Sequence, residues 1–138
     1  MKVPTDLQIL RLVHKFHYSE FASHGRESGA HVARQSKIYV PVDCKLVAAK
    51  LGVDADIVFG RLYYHMQEKY GYVRDDGSKV AFYTEISGQD KRCINFPLMV
   101  SVLAEMEDDR RKLRWSTVLS IAAIVISILV PFSEWLLK

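Results

Sequence analysis

The run Trp115–Phe132, WSTVLSIAAIVISILVPF, holds no charged residue. It limits the fold more than any other stretch of the chain. A helix needs about 20 mostly apolar residues to cross the hydrocarbon layer of a bilayer. Trp115 and Trp135 stand 20 positions apart, about 30 Å of helix, and tryptophan favours the bilayer interface. Arg110, Arg111, Lys112 and Arg114 come just before the run, and cations of this kind mark the cytoplasmic side. The expectation is a single-pass membrane helix over 115–135, a C-terminal tail anchor with the N-terminus and the bulk of the chain in the cytoplasm. A buried core helix is the competing reading, disfavoured because so long a charge-free run is rare in a small domain.

One side of this helix is small. Ser116, Ser120, Ala123 and Ser127 recur at spacings that keep them on one face. Small residues let backbones approach closely in lipid, where packing drives association. This face is therefore a candidate for helix–helix packing and for a homo-oligomer. Pro131 falls near the far end, where a lost backbone bond costs little.

The residues before the run, about 110 of them, are polar enough for a soluble body and numerous enough for one core. The net charge of +3 is mild and does not by itself point to nucleic acid. Its distribution is uneven: residues 1–37 hold six Lys/Arg against three Asp/Glu, and residues 38–69 hold four of each. Cys44 and Cys93 stand far apart in no CxxC pattern, which fits free thiols in a reducing compartment. The opening MKVPTDLQILRLVHKF is broken by charges and lacks the apolar run of a secretory signal.

Along the body, Asp6 is expected to cap a first helix with Leu7, Leu10, Val13, His17 and Phe21 on one face, widened by Ile9, Leu12 and Phe16. A polar, Gly-containing stretch over 23–37 reads as a mobile loop. IYVPV reads as a short strand stopped by Pro41. Asp43 caps a helix that Gly52 ends, and Asp54 caps a longer one over 55–70. YVRDDGSKVAFYTEI then reads as a hairpin, with Val80, Phe82, Thr84 and Ile86 alternating along its second arm. RCINF adds a further strand after the turn SGQDK, and Asn95 caps a last helix with Pro97 in its first turn. Leu98, Val102 and Met106 carry that helix towards the membrane run with no breaker between. The expected division is 1–96 for the domain, 97–114 for a linker helix and 115–135 for the span.

The order helix, strand, helix, turn, helix, hairpin resembles the winged helix-turn-helix superfamily over about residues 7–86. IYV supplies the first strand, LVAAKLGVDADIVFGRL the two packed helices and YVRDDGSKVAFY the wing. The resemblance implies an α+β winged-helix fold for the body, to which the charge-free run adds a long C-terminal helix continuing into one transmembrane span. It also implies DNA binding, with the second helix of the pair in the major groove and the wing on the backbone. Carried onto this chain, the reading face holds Ala55, Asp56, Phe59, Gly60 and Tyr63. None of these is a residue that makes bidentate base contacts. Lys45, Arg61, Arg74 and Lys79 are candidates for phosphate contact, with Asp75 and Asp76 in the same wing. Phe59, Tyr63 and Tyr64 suit a protein contact, since aromatic residues concentrate at interfaces; packing against the last helix is the alternative.

His14, His17, His24 and His31 invite a metal reading, but the tight pairs of a zinc site are missing. No phosphate-binding glycine motif or nucleophile elbow is present. The chain is expected to hold no metal or cofactor and to catalyse nothing. Three functions remain. The first is a membrane-anchored interaction module that holds a protein partner at the cytoplasmic face. The second is a membrane-tethered, weakly sequence-specific DNA-binding regulator. The third is a small effector that oligomerises through its span.

Overall fold

The computed structural model describes residues 2–24 and 36–136. Two compact units divide the chain, residues 1–103 and 104–138. The first unit thus runs seven residues past the expected boundary at 96, because Phe96, Met99 and Val102, all in the last helix, are buried in it. The expected loop over 23–37 falls mostly on 25–35, which lie outside the described residues.

Helix α1 covers Asp6–Ser23. Its cap is Thr5, one residue earlier than expected. The Gln8 amide donates to Thr5 Oγ1 at 3.2 Å, and the Thr5 amide donates to Gln8 Oε1 at 3.0 Å. This reciprocal pair satisfies two amides that the first turn leaves open. Asp6 is freed from capping and becomes buried, together with Ile9, Leu10, Val13 and His17.

Strand β1 (Tyr39–Pro41) leads into helix α2 (Cys44–Leu51). Asp43 Oδ1 accepts from the Lys45 and Leu46 amides, both at 3.0 Å. Gly52 ends the helix at φ 68°, a left-handed conformation that costs glycine least. Asp54 caps the next helix by accepting from the Asp56 amide at 2.8 Å. That helix runs in three joined parts: α3 (Ala55–Gly60), a π-helical segment (Arg61–Met66) and α4 (Gln67–Tyr70). Val58, Leu62 and Met66 are fully buried along it, as their four-residue spacing predicts.

The sheet departs from the expected single hairpin. Strands β2 (Tyr72–Val73) and β3 (Lys79–Val80) form a separate two-stranded ribbon. Strands β4 (Tyr83–Ser87) and β5 (Asp90–Asn95) form a second hairpin, and β5 also pairs with β1, giving the order β1-β5-β4. The run from Val80 to Ile86 does not stay in one strand because Phe82 and Tyr83 are both buried. Neighbouring residues of a strand face opposite sides, so the backbone must break there. Ile86, expected to alternate in step with Phe82, is 66% exposed, whereas Phe82 is buried. Gln67 Oε1 takes up the amides at the break, accepting from Phe82 at 2.7 Å and from Tyr83 at 2.8 Å.

Helix α5 covers Phe96–Leu136. Asn95 Oδ1 accepts from the Leu98 amide at 3.2 Å, as a cap should. In the second unit, α5 is the one described helix long and apolar enough to cross a membrane, with a mean hydropathy of 2.2 over its best window.

Candidate functional site

The expected contact residues gather on one face of the π-helical segment and its neighbours. The Phe59 and Tyr63 rings stack, with centroids 5.4 Å apart and planes 11° apart. Tyr64 stands edge-on to Tyr63 at 4.9 Å and is 73% exposed. The inner partner of Phe59 is Tyr83 of β4, edge-on at 6.1 Å. Phe59 therefore rests on the sheet.

Arg92 of β5, which no sequence pattern points to, completes this face. Its guanidinium carbon lies 4.9 Å from the Phe59 ring centroid, a cation–π contact worth about 0.5–1 kcal/mol at an exposed site. Arg92 is also the one described residue other than glycine with positive φ, at 57°. A side chain in that conformation costs roughly 1–2 kcal/mol. The Arg92 carbonyl holds the turn by accepting from the Val42 amide at 3.0 Å. No local sequence signal marks an arginine in left-handed backbone within a strand; only the pairing of β5 with β1 and β4 creates the position. Backbone strain of this kind collects at functional sites, as do π-helical turns.

Below this face, the Tyr83 hydroxyl is buried near the Cys44 thiol without completing a hydrogen bond of good geometry. Burial pushes the Cys44 thiol upward, and the neighbouring Tyr83 hydroxyl and then Arg92 only partly offset it. Burial, then the neighbouring thiol, raises the Tyr83 phenol as well. A thiol raised in the fold contributes its full stability below the ordinary cysteine value of about 8.5. That contribution is lost as pH climbs from there through the raised folded value. Thermal melts from neutral to alkaline pH should show stability falling above about pH 8.5, and Cys44→Ala should flatten that limb.

The phosphate candidates do not form one positive surface of free cations. Arg61, expected to touch phosphate, instead donates from Nη2 to Asp6 Oδ1. His65 Nε2 lies 3.1 Å from the other oxygen of the same carboxylate. The Asp6 side chain is 10% exposed and that of Arg61 30%, so this is a largely internal link between α1 and the π-helical segment. Lys45 is exposed on α2. Arg74 and Lys79 are exposed on the β2–β3 ribbon, where Asp75 and Asp76 occupy the turn between them. Ser78 donates to Asp76 from its amide at 2.8 Å and its hydroxyl at 2.6 Å, and these bonds hold the Asp76 carboxyl below its usual range.

The histidines are used separately. His14 stacks on Phe96 at 5.9 Å. His17 Nε2 accepts from the Asp43 amide at 3.3 Å. His31 lies outside the described residues. Among the described residues, no three His, Cys, Asp or Glu are grouped to hold a metal ion.

In the second unit, Arg110, Arg111, Arg114, Trp115 and Trp135 are exposed on α5. Lys112 Nζ pairs with Asp108 at 2.8 Å, which raises the lysine and lowers the carboxyl. The Ser120 hydroxyl donates to the Ser116 carbonyl at 2.9 Å, and Ser127 donates to the Ile124 carbonyl at 2.7 Å. Two hydroxyls of the small face are thus satisfied within the helix, and what that face offers another helix is close approach. No protein-family model, curated protein or solved structure matches this chain.

Proposed function

We propose that the protein is a membrane-anchored interaction module. In this reading α5 holds the first unit at a bilayer, and the face made by Phe59, Tyr63, Tyr64 and Arg92 binds a protein partner. The observation that carries the reading is Arg92, kept in strained backbone and stacked on Phe59 beside two tyrosines. Tyrosine and arginine dominate binding hot spots. The left-handed backbone serves the fold, since the Arg92 carbonyl accepts from the Val42 amide, but glycine would meet that need at less cost, so the arginine side chain is the part the fold does not require. The apolar window of α5, no part of it buried, supports the anchor. A cytoplasmic placement of the first unit follows from the cations at 110–114 by the positive-inside rule.

A winged-helix plan also belongs to this proposal, in altered form. The hairpin paired with β1 is β4–β5, so we assign the wing to residues 83–95 and treat the ribbon at 72–80 as an addition. Arg92 then lies on the wing, against the helix that reads bases in DNA-binding relatives of this plan. That helix here presents aromatic rings and Asp56, which favours a protein over a nucleic acid.

The test is affinity capture of the full chain from detergent-solubilised membranes. Arg92→Gly separates binding from folding, because glycine relieves the strain while removing the cation. The parent should retain a discrete partner; Arg92→Gly and Phe59→Ala should lose it, the former with unchanged or higher thermal stability. Arg74→Glu with Lys79→Glu should retain it. If the double charge reversal instead removes the bound material, and duplex DNA binds the parent with steep salt dependence, the tethered DNA-binding reading replaces this one.

A further inference from the structure

The charges of the second unit are sorted along α5. Glu105, Glu107, Asp108 and Asp109 come first, and Arg110, Arg111, Lys112 and Arg114 follow immediately before Trp115. At 1.5 Å per residue the cations lie within about 8 Å of Trp115 along the axis, and the acids about 9–15 Å from it. Screening at physiological salt has a length of about 8 Å. A headgroup layer at the level of Trp115 therefore meets the cations before the acids, and Glu107, three and four residues before Arg110 and Arg111, is the one acid that shares their face. The helix surface sorts them further. Arg110, Arg111 and Arg114 fall within about a 100° sector, given 100° per residue. Lys112 lies outside that sector and is held by Asp108. The small face of Ser116, Ser120, Ala123 and Ser127 points roughly opposite the arginines by the same count.

We propose that Arg110, Arg111 and Arg114 form a binding surface for the phosphate-bearing headgroups of anionic phospholipids. The surface gathers these lipids on the side of the helix away from its small face. This rests on the membrane reading above. Juxtamembrane clusters of Lys and Arg attract anionic lipids, and guanidinium groups match phosphate oxygens in bidentate fashion. The planar forks of three arginines in one sector suit adjacent headgroups better than a single deep pocket would.

The full chain carries two tryptophans, so Trp135→Phe leaves Trp115 as the sole indole, beside the arginines. This chain is reconstituted into vesicles of phosphatidylcholine and phosphatidylglycerol at fixed composition, with bromine on the acyl chains of one lipid or the other. At equal labelled fraction, brominated phosphatidylglycerol should quench Trp115 about twofold more than brominated phosphatidylcholine. Raising the salt should shrink the difference, and Arg110→Gln/Arg111→Gln/Arg114→Gln should abolish it. Undiminished quenching by brominated phosphatidylcholine verifies that this variant still inserts. Equal quenching in the parent, or a preference that survives the triple substitution or high salt, overturns the proposal while leaving the anchor intact. No quenching by either lipid overturns the membrane reading itself.

Discussion

Gln67→Ala is expected to destabilise the first unit by about 2–4 kcal/mol, because each buried backbone donor left without a partner costs about 1–3 kcal/mol. Gln67 Oε1 is the acceptor for both the Phe82 and the Tyr83 amides. Those residues are 0% and 2% exposed, so water reaches their amides poorly. The cost arises from the break between β3 and β4, which two consecutive inward-facing side chains impose. Gln67→Glu presents the same acceptor and should cost less. Gly71→Ala should act on the same clamp. A Cβ there would fall 2.6 Å from both Gln67 Nε2 and the Gln67 carbonyl oxygen. The side chain can swing away only by releasing the two amides, and the carbonyl is fixed in the helix. The tryptophans stand at 115 and 135, so tyrosine circular dichroism of the full chain in micelles, during chemical denaturation, reports on the first unit.

Asp6→Ala is the second large effect, expected at about 1–3 kcal/mol. Breaking a fully buried ion pair costs about 3–5 kcal/mol; here solvent reaches Arg61 and His65 and screens part of it. The carboxylate joins the first turn of α1 to the π-helical segment through Arg61 and His65. Its removal leaves the Arg61 guanidinium half-submerged, with a buried Nε that already lacks a partner. The double variant Asp6→Ala/Arg61→Leu should recover part of the loss, since no charge is then stranded. His65→Ala should cost less than Arg61→Ala, because His65 is 46% exposed. Denaturation of Asp6→Ala, Arg61→Leu and the double variant measures the coupling directly.

Features written within a few residues were legible in the sequence. Asp43, Gly52, Asp54 and Asn95 sit at helix ends because their short side chains, or the lack of one, satisfy groups two to four positions away. The Thr5–Gln8 box is equally legible as a local four-residue signature, but Asp6 beside it is as good a capping residue by type, and only the long-range pair with Arg61 decides between them. The apolar run in α5 follows from length and composition alone. What failed was long-range. The partner of β1 is β5, more than fifty residues later in the chain, and no turn signal encodes that choice. Asp6 meets Arg61 and His65 across separations of 55 and 59 residues. Arg92 is a surface arginine by its type, and only the three-stranded sheet gives it left-handed backbone and a ring to cover. On the proposed contact face, the helix pattern points to Phe59, Tyr63 and Tyr64, whereas nothing local points to the Arg92 cation over the Phe59 ring.

In the proposed function one chain is held in a membrane and binds a protein through its aromatic face. The most direct measurement places a photo-crosslinking amino acid at Tyr64 in the full chain, followed by irradiation of intact cells and alkaline extraction of the membranes. One discrete protein adduct is expected, staying in the extracted membrane pellet and disappearing with Arg92→Gly. A chain released by alkali, or an adduct pattern unchanged by Arg92→Gly, would contradict it.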